Sequence, residues 1–273
     1  MAQNQEKFKT PLVSVIIPCY NCESTIERTV MSVLQQTYEN YEIILCDDCS
    51  SSKKSYEKLV EIQLKHPEKR IVVCKTEKNS GQSCARNLAM KKANGLYFAF
   101  IDSDDVWAHN KLEIQTKLMV SFGWDMSGTE QIPLSENPDF SSLMSSSPKY
   151  EKISLHKNLV ANRFGMFTVM LINDGKYFFD ETIRYSSDYH LWCAMISDGV
   201  KCFKIYSVGG FYDDLGLNRI SSKHQKEQYK SDVDLLKELR ERRKINCCSY
   251  VLFRFFFFLK KKRRDFKQRK KEH

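Results

Sequence analysis

The residues with the clearest chemical capacity are Asp102-Ser103-Asp104-Asp105. Alternate carboxylates at a strand end can hold Mn2+ or Mg2+, and a hard cation held in that way can bridge two phosphate oxygens. The same run could instead be an acidic turn that caps a helix beginning near His109. A second segment, Asn79 to Asn87, combines a turn at Gly81, a helix start and a fixed cation at Arg86. Helix N-termini attract anions, and a guanidinium serves either a phosphate or a neighbouring carboxylate. Two pairs, Cys19-x-x-Cys22 and Cys46-x-x-Cys49, have the ligand types of a structural zinc site. Their separation exceeds a zinc-ribbon spacing, and free thiols are the expectation.

These groups need a scaffold, and the apolar pattern supplies one. Leu12 to Ile17, Glu42 to Cys46, Ile71 to Cys74 and Leu96 to Ile101 read as short buried strands. Helical periodicity lies between them: a helix opened by a capping box at Ser24-x-x-Glu27, a second over Tyr56 to Lys65, and a third over Ser83 to Lys92 closed by Asn94-Gly95. Such alternation predicts an α/β fold, a Rossmann-like, mostly parallel sheet sandwiched by helices. Cys19-Tyr20, Asp47-Asp48 and Asp102 to Asp105 each follow a strand, so they should converge on the sheet edge where ligands bind. Carboxylates gathered there repel one another unless a cation compensates.

The later chain is less regular. Residues 10–126 form the first half, 127–150 a Ser- and Pro-rich loop, 151–222 an α+β half and 223–273 C-terminal helices. The second half should hold an apolar stretch at Met166 to Ile172, a helix over Asp188 to Ile196 and a strand over Lys201 to Tyr206. The net charge is +9, but Lys260 to His273 carries nine basic and two acidic residues, so +7 of it sits in the tail. A uniformly basic nucleic-acid face is thereby excluded. Tyr250 to Leu259 is too short to span a bilayer. With the basic run after it, the segment reads as an interfacial anchor for anionic lipid, or else as a last core helix. Met1 to Thr10 lacks the pattern of a secretory signal, and a cytoplasmic location, peripheral on the membrane, is expected.

Four segments then share a resemblance. Val13 to Asn21 (VSVIIPCYN), Ile43 to Asp48 (IILCDD), Asn79-x-Gly81 with Ala85-Arg86-Asn87, and Phe100 to Asp105 (FIDSDD) resemble, in order and spacing, the family-two inverting glycosyltransferases of surface-polysaccharide or lipopolysaccharide synthesis. The likeness is strong over residues 10 to 110. It implies the glycosyltransferase A-type fold, with Pro18, Tyr20, Glu23 and Asp48 around the base and ribose of a nucleoside diphosphate sugar, uridine diphosphate being favoured. It further implies Asp102 near the ribose and diphosphate, Asp104 as principal metal ligand, and Asp47 and Asp105 as loop supports. Ser187-Asp188-Tyr189-His190-Leu191-Trp192 resembles the family's downstream Glu-Asp motif, making Asp188 the candidate general base.

Ser187 departs from the family's usual Glu, and Cys49 stands where Gly is common. Trp192 either stacks on an acceptor sugar or belongs to the core, Arg219 could reach the diphosphate, and His224 could add a metal ligand. The implied acceptor is a glycan or lipid-linked hydroxyl. A nucleotidyltransferase would show a Gly-rich basic loop where Pro18-Cys19-Tyr20-Asn21 stands; an inactive nucleotide-sugar-binding or membrane-adaptor module is the remaining alternative.

Overall fold

The structure, a computed structural model, describes residues 10–134, 143–213 and 224–269. The predicted strands form as β1 (Val13–Cys19), β2 (Tyr41–Asp47), β3 (Ile71–Lys75) and β4 (Tyr97–Phe100). β1 and β2 are buried over their whole length, which is why they read as continuous apolar runs. Between the strands lie α1 (Ile26–Leu34), α2 (Lys53–Lys65) and α3 (Gln82–Lys92). The order β3-β2-β1-β4 is parallel throughout. Its direction of growth reverses between β1 and β4, the place where open α/β sheets bind ligands beyond their strand ends.

The chain continues through β5 (Val106–Trp107), α4 (Lys111–Phe122), β6 (Met126–Pro133), β7 (Lys149–Lys152), α5 (Leu155–Val160), a 3-10 turn at Met166–Thr168, β8 (Met170–Ile172), α6 (Ser187–Ser197) and β9 (Cys202–Tyr212). One sheet runs on from β4 through β8, β6 and β9 to β5, with β7 beside β9. β8 is antiparallel to both neighbours, whereas β6 and β9 are parallel. The two predicted halves therefore share a single sheet. Alternation along β1 sends Val13, Val15 and Ile17 toward Ile26 and Val30 of α1 and Leu112 of α4. Ile16 faces the other way, with Ala85 and Ala89 of α3 and Leu191 and Trp192 of α6.

Three local expectations change. β6 occupies the start of the predicted 127–150 loop: Ser127 and Thr129 are buried, and Gln115 Nε2 donates to Ser127 Oγ at 2.9 Å. Internal partners for its polar groups let a polar sequence form a central strand. The capping box at Ser24 does not form, because α1 begins after Thr25 without a side-chain cap. Gly95 does not terminate α3, which ends at Ala93; a Cβ on Gly95 would meet Ser14 Oγ at 2.5 Å, so close approach to β1 explains the glycine.

Two further helices, α7 (Gln225–Glu241) and α8 (Cys247–Arg269), complete the described chain. Phe253 and Phe257 of α8 are buried in a third core with Leu155 and Leu159 of α5, Tyr189 of α6 and Leu235 and Leu239 of α7. Val251, Leu252, Phe255, Phe258 and Leu259 remain exposed at helical spacing. The predicted core helix and the predicted apolar surface are thus two faces of one element. No helix among the described residues is long and apolar enough to cross a membrane.

Candidate active site

Strand ends and their loops build the first wall of the site. Asp48 N donates to Cys19 O at 2.7 Å, locking the end of β2 to that of β1. Asn21, at φ +49°, joins the same loops by accepting from Ser52 N at 3.1 Å and donating its own N–H to Ser50 Oγ at 2.9 Å. Asp47 is fully buried and accepts from Ser50 N at 3.1 Å, a loop brace. Cys49 keeps φ at +51°, so the glycine-like backbone survives the departure from the family pattern.

Asp48 uses both oxygens on the following loop. Oδ2 accepts from Gly81 N at 2.7 Å, while Oδ1 accepts from Ser80 N and Thr76 Oγ1, each at 3.0 Å. Gly81 sits at φ +93° with open space where a Cβ would be, so conformation alone demands glycine there. The loop so fixed starts α3, one turn of which later Arg86 donates to Asp102 Oδ1 at 2.5 Å. Arg86 is almost fully buried, with its guanidinium 5.7 Å from the Phe179 ring. Asn87 receives Phe179 N at 2.9 Å and donates to Phe179 O at 2.8 Å, clamping the approach to α6.

The acidic run does not cap α4, which begins after Asn110. Asp105 N donates back to Asp102 O at 3.2 Å, and burial, then the Asp102 and Asp104 charges, push the Asp105 carboxyl up to about 9. The Asp104 carboxyl, though exposed, is also raised, first by local desolvation and then by the Asp102 charge. From behind, α1 holds the run: Arg28 Nη2 donates to Asp104 O at 2.8 Å and to Asp213 Oδ2 at 3.0 Å, and Thr29 Oγ1 donates to Asp105 O at 2.8 Å. Neither Arg28 nor Thr29 stands in a motif, and no sequence signal marks them.

No group of three or more His, Cys, Asp or Glu among the described residues forms a metal cage. Asp104, with Asp102 beside it and already paired with Arg86, offers hard oxygen donors. That set fits Mg2+ or Mn2+ bound by one or two carboxylates together with substrate phosphates. His224 lies instead on Tyr185, ring centroids 4.8 Å apart. The cysteines are free, and Cys22 Sγ lies against Ser55 Oγ rather than in a zinc cluster.

The second wall comes from α6. Its N-terminus follows Ser186, at φ +62°, and Ser83 Oγ donates to Ser187 Oγ at 3.0 Å, so the residue in the family's Glu position ties α3 to α6. Asp188 occupies the first turn. Burial raises its carboxyl above the ordinary range, backbone donation at Tyr189 and the Arg86 charge oppose that, and Asp102 adds to it. Arg86, Asp102 and Asp188 line one cavity of about 440 Å³.

Trp192 does not face that cavity. It is fully buried, with Phe100 and Phe179 centroids 6.4 and 6.1 Å away, and the expectation of sugar stacking is corrected to a core role. Pro18 is buried in β1, whereas Tyr20 is 46% exposed and free to meet a flat ligand. Glu23 Oε2 is buried with no hydrogen-bond partner among the described residues. Arg219 lies outside the described residues. Sequence reasoning missed Arg184, Tyr185 and Lys260, which also line the cavity. Arg184 and Tyr185 precede Asp188 closely, but Lys260 is distant in sequence and stands at the start of the basic tail run.

A model of glycosyl transferase family 2 matches residues 14–176. The chain belongs to glycosyl transferase family 2. It is 37% identical over 191 residues to the UDP-Glc:alpha-D-GlcNAc-diphosphoundecaprenol beta-1,3-glucosyltransferase WfgD of Escherichia coli, covering 68% of this chain and 70% of that one. Among solved structures, residues 1–349 of Staphylococcus aureus TarS superpose with a TM-score of 0.62 at 18% identity, over 90% of this chain and 70% of that chain. TarS has also been solved with UDP-GlcNAc, matching at a TM-score of 0.54 over 82% of this chain and 66% of that chain, at 17% identity. The mannosyltransferase PcManGT of Pyrobaculum calidifontis, solved with GDP-Man and Mn2+, matches at a TM-score of 0.60 and 16% identity, over 85% and 64% of the two chains. These likenesses establish the glycosyltransferase A-type fold. Family membership makes the chain a glycosyltransferase and decides against a nucleotidyltransferase.

Proposed function

We propose that this glycosyltransferase moves a sugar from a uridine diphosphate sugar to a hydroxyl of a lipid-linked glycan, inverting the anomeric centre. The observation that carries the reading is the shared cavity, which Asp188 lines together with the Arg86–Asp102 pair beyond the parallel strand ends. Residues 10–126 hold the donor and residues 151–222 present the acceptor. Tyr20 and Glu23 flank the base and ribose with Pro18, while Asp48 shapes the pocket by holding Gly81. Asp102, fixed by Arg86, positions the donor.

In the transfer, the acceptor oxygen attacks the anomeric carbon opposite the diphosphate. The new C–O bond forms as the old one breaks, the bonding electrons leave with the diphosphate, and the hydroxyl proton passes to Asp188. A raised carboxyl suits a base that must take a proton near neutral pH. When bound by Asp104, a Mn2+ or Mg2+ ion neutralises charge on the leaving diphosphate.

The relative from Escherichia coli is named for a diphosphoundecaprenol acceptor, and α8 offers a matching surface. Its exposed face, Val251, Leu252, Phe255, Phe258 and Leu259, adjoins Lys261, Lys262 and Arg263. An apolar stripe beside basic residues fits the cytosolic surface of an anionic membrane, on which the enzyme acts as a peripheral protein.

A donor screen by thermal shift, with and without Mn2+, tests the reading. One uridine diphosphate sugar at about 100 times its Kd should stabilise the enzyme by roughly 2.7 kcal/mol, in a metal-dependent manner. No stabilisation by any nucleoside diphosphate sugar contradicts it. Vesicles containing anionic lipid should bind the full chain, and high salt or Leu252→Ser with Phe255→Ser on the exposed face of α8 should release it.

A further inference from the structure

The cavity that holds Asp188 is closed on its far side by the C-terminal helices. Phe257 and Lys260 of α8 line it, and Lys260 Nζ donates to the Val160 carbonyl at the end of α5. Phe257 also belongs to the buried third core, so the cavity wall is anchored rather than draped. The opposite face of α8 is the apolar surface described above. One helix therefore borders both the cavity of Asp188 and the exposed apolar stripe.

The charges on this side are unlike those on the donor side. Arg86 is committed to Asp102, whereas Arg184, on the loop into α6, is exposed and makes no ion pair with any described residue. Its guanidinium lies 5.9 Å from the Tyr185 ring, a cation held over an aromatic face at the cavity wall. Planar guanidinium donors match phosphate oxygens in pairs.

Building on the lipid-linked acceptor reading, we propose that Arg184 forms an acceptor-phosphate subsite at the wall of this cavity. It holds the phosphate of a lipid phosphate or diphosphate while the glycan hydroxyl lies toward Asp188 and the hydrocarbon follows α8 outward. Arg184 is a specificity residue for the acceptor, separate from the donor diphosphate.

The test is calorimetric titration of the full chain with geranylgeranyl diphosphate and with geranylgeraniol in detergent micelles, with saturating uridine diphosphate and Mn2+ filling the donor side. The diphosphate should bind at least about tenfold more tightly than the alcohol, the worth of one charge-assisted contact. Arg184→Ala should remove most of that difference and Arg184→Lys should restore part of it. The uridine diphosphate affinity should stay constant across the three proteins. Equal binding of alcohol and diphosphate, or an unchanged difference in Arg184→Ala, overturns the proposal. Failure of the donor reading shows itself separately, as an absence of nucleotide binding, and leaves the lipid titration readable.

Discussion

Replacing Asp48 by Asn separates two roles for one carboxylate. The family likeness assigns Asp48 to the nucleotide base, but in the structure its oxygens already hold Thr76, Ser80 and Gly81 without a ligand. An amide can keep an oxygen toward Ser80 and Thr76, yet it then turns an NH2 group toward Gly81 N–H and strands that donor. One charge-assisted bond of about 1.5–3 kcal/mol is lost, and the two retained bonds fall from charged to neutral strength. The sum is roughly 2–4 kcal/mol, against a domain stability of about 5–15 kcal/mol. For a chain of this size the Tm should drop on the order of 10 °C. Urea unfolding of the ligand-free protein measures the loss directly. If Asp48→Asn matches the wild type in the absence of nucleotide and only loses donor affinity, the loop-holding account is refuted.

Other perturbations read neighbouring parts of the same logic. Arg28→Ala removes two bonds from a partly exposed guanidinium and should cost about 1–2 kcal/mol while weakening Mn2+-dependent donor binding; unchanged metal dependence would show that α1 does not position Asp104. Lys111 is fully buried with Nζ 4.0 Å from the Trp107 ring centroid and no hydrogen-bond partner among the described residues. Burial holds its ammonium well below the usual lysine range, so the unfolded chain binds the extra proton. The neutral amine's contribution is complete above the ordinary lysine pKa and is lost as pH falls toward the depressed value. Lys111→Met should therefore raise Tm most at the low end of that window, and a uniform change across pH would contradict this. The acid limb of kcat/KM should lie above the ordinary aspartate range, since a raised Asp188 must lose its proton to act; a limb near 4 would point to another base.

The first four strands were legible because each is a short apolar run, rich in β-branched residues in β1 to β3 and aromatic in β4, a pattern that survives without knowledge of neighbours. Asp102 to Asp105, Gly81, Arg86 and Asp188 were legible for a different reason: strand-end position and family spacing both marked them. β6 was not, since Ser127 and Thr129 look like loop residues until Gln115 is seen beside them. Trp192 was ambiguous because a helix carries both a site face and a core face, and only the surrounding Phe100 and Phe179 decide which it occupies. Arg28 works through partners far away in sequence and Arg184 stands at an open surface, and neither leaves a local pattern. The sequence of α8 admits two alternatives because a single stretch of aromatic residues supplies both of its faces.

The most direct measurement of the central claim is transfer of labelled sugar from a uridine diphosphate donor to a lipid diphosphate-linked glycan by the wild type and by Asp188→Asn. The account predicts an inverted product from the wild type. It predicts a fall in kcat of about 10²–10⁴ in Asp188→Asn, with donor binding unchanged. Full transfer by Asp188→Asn, or donor binding by the wild type with no acceptor glycosylated, would contradict it.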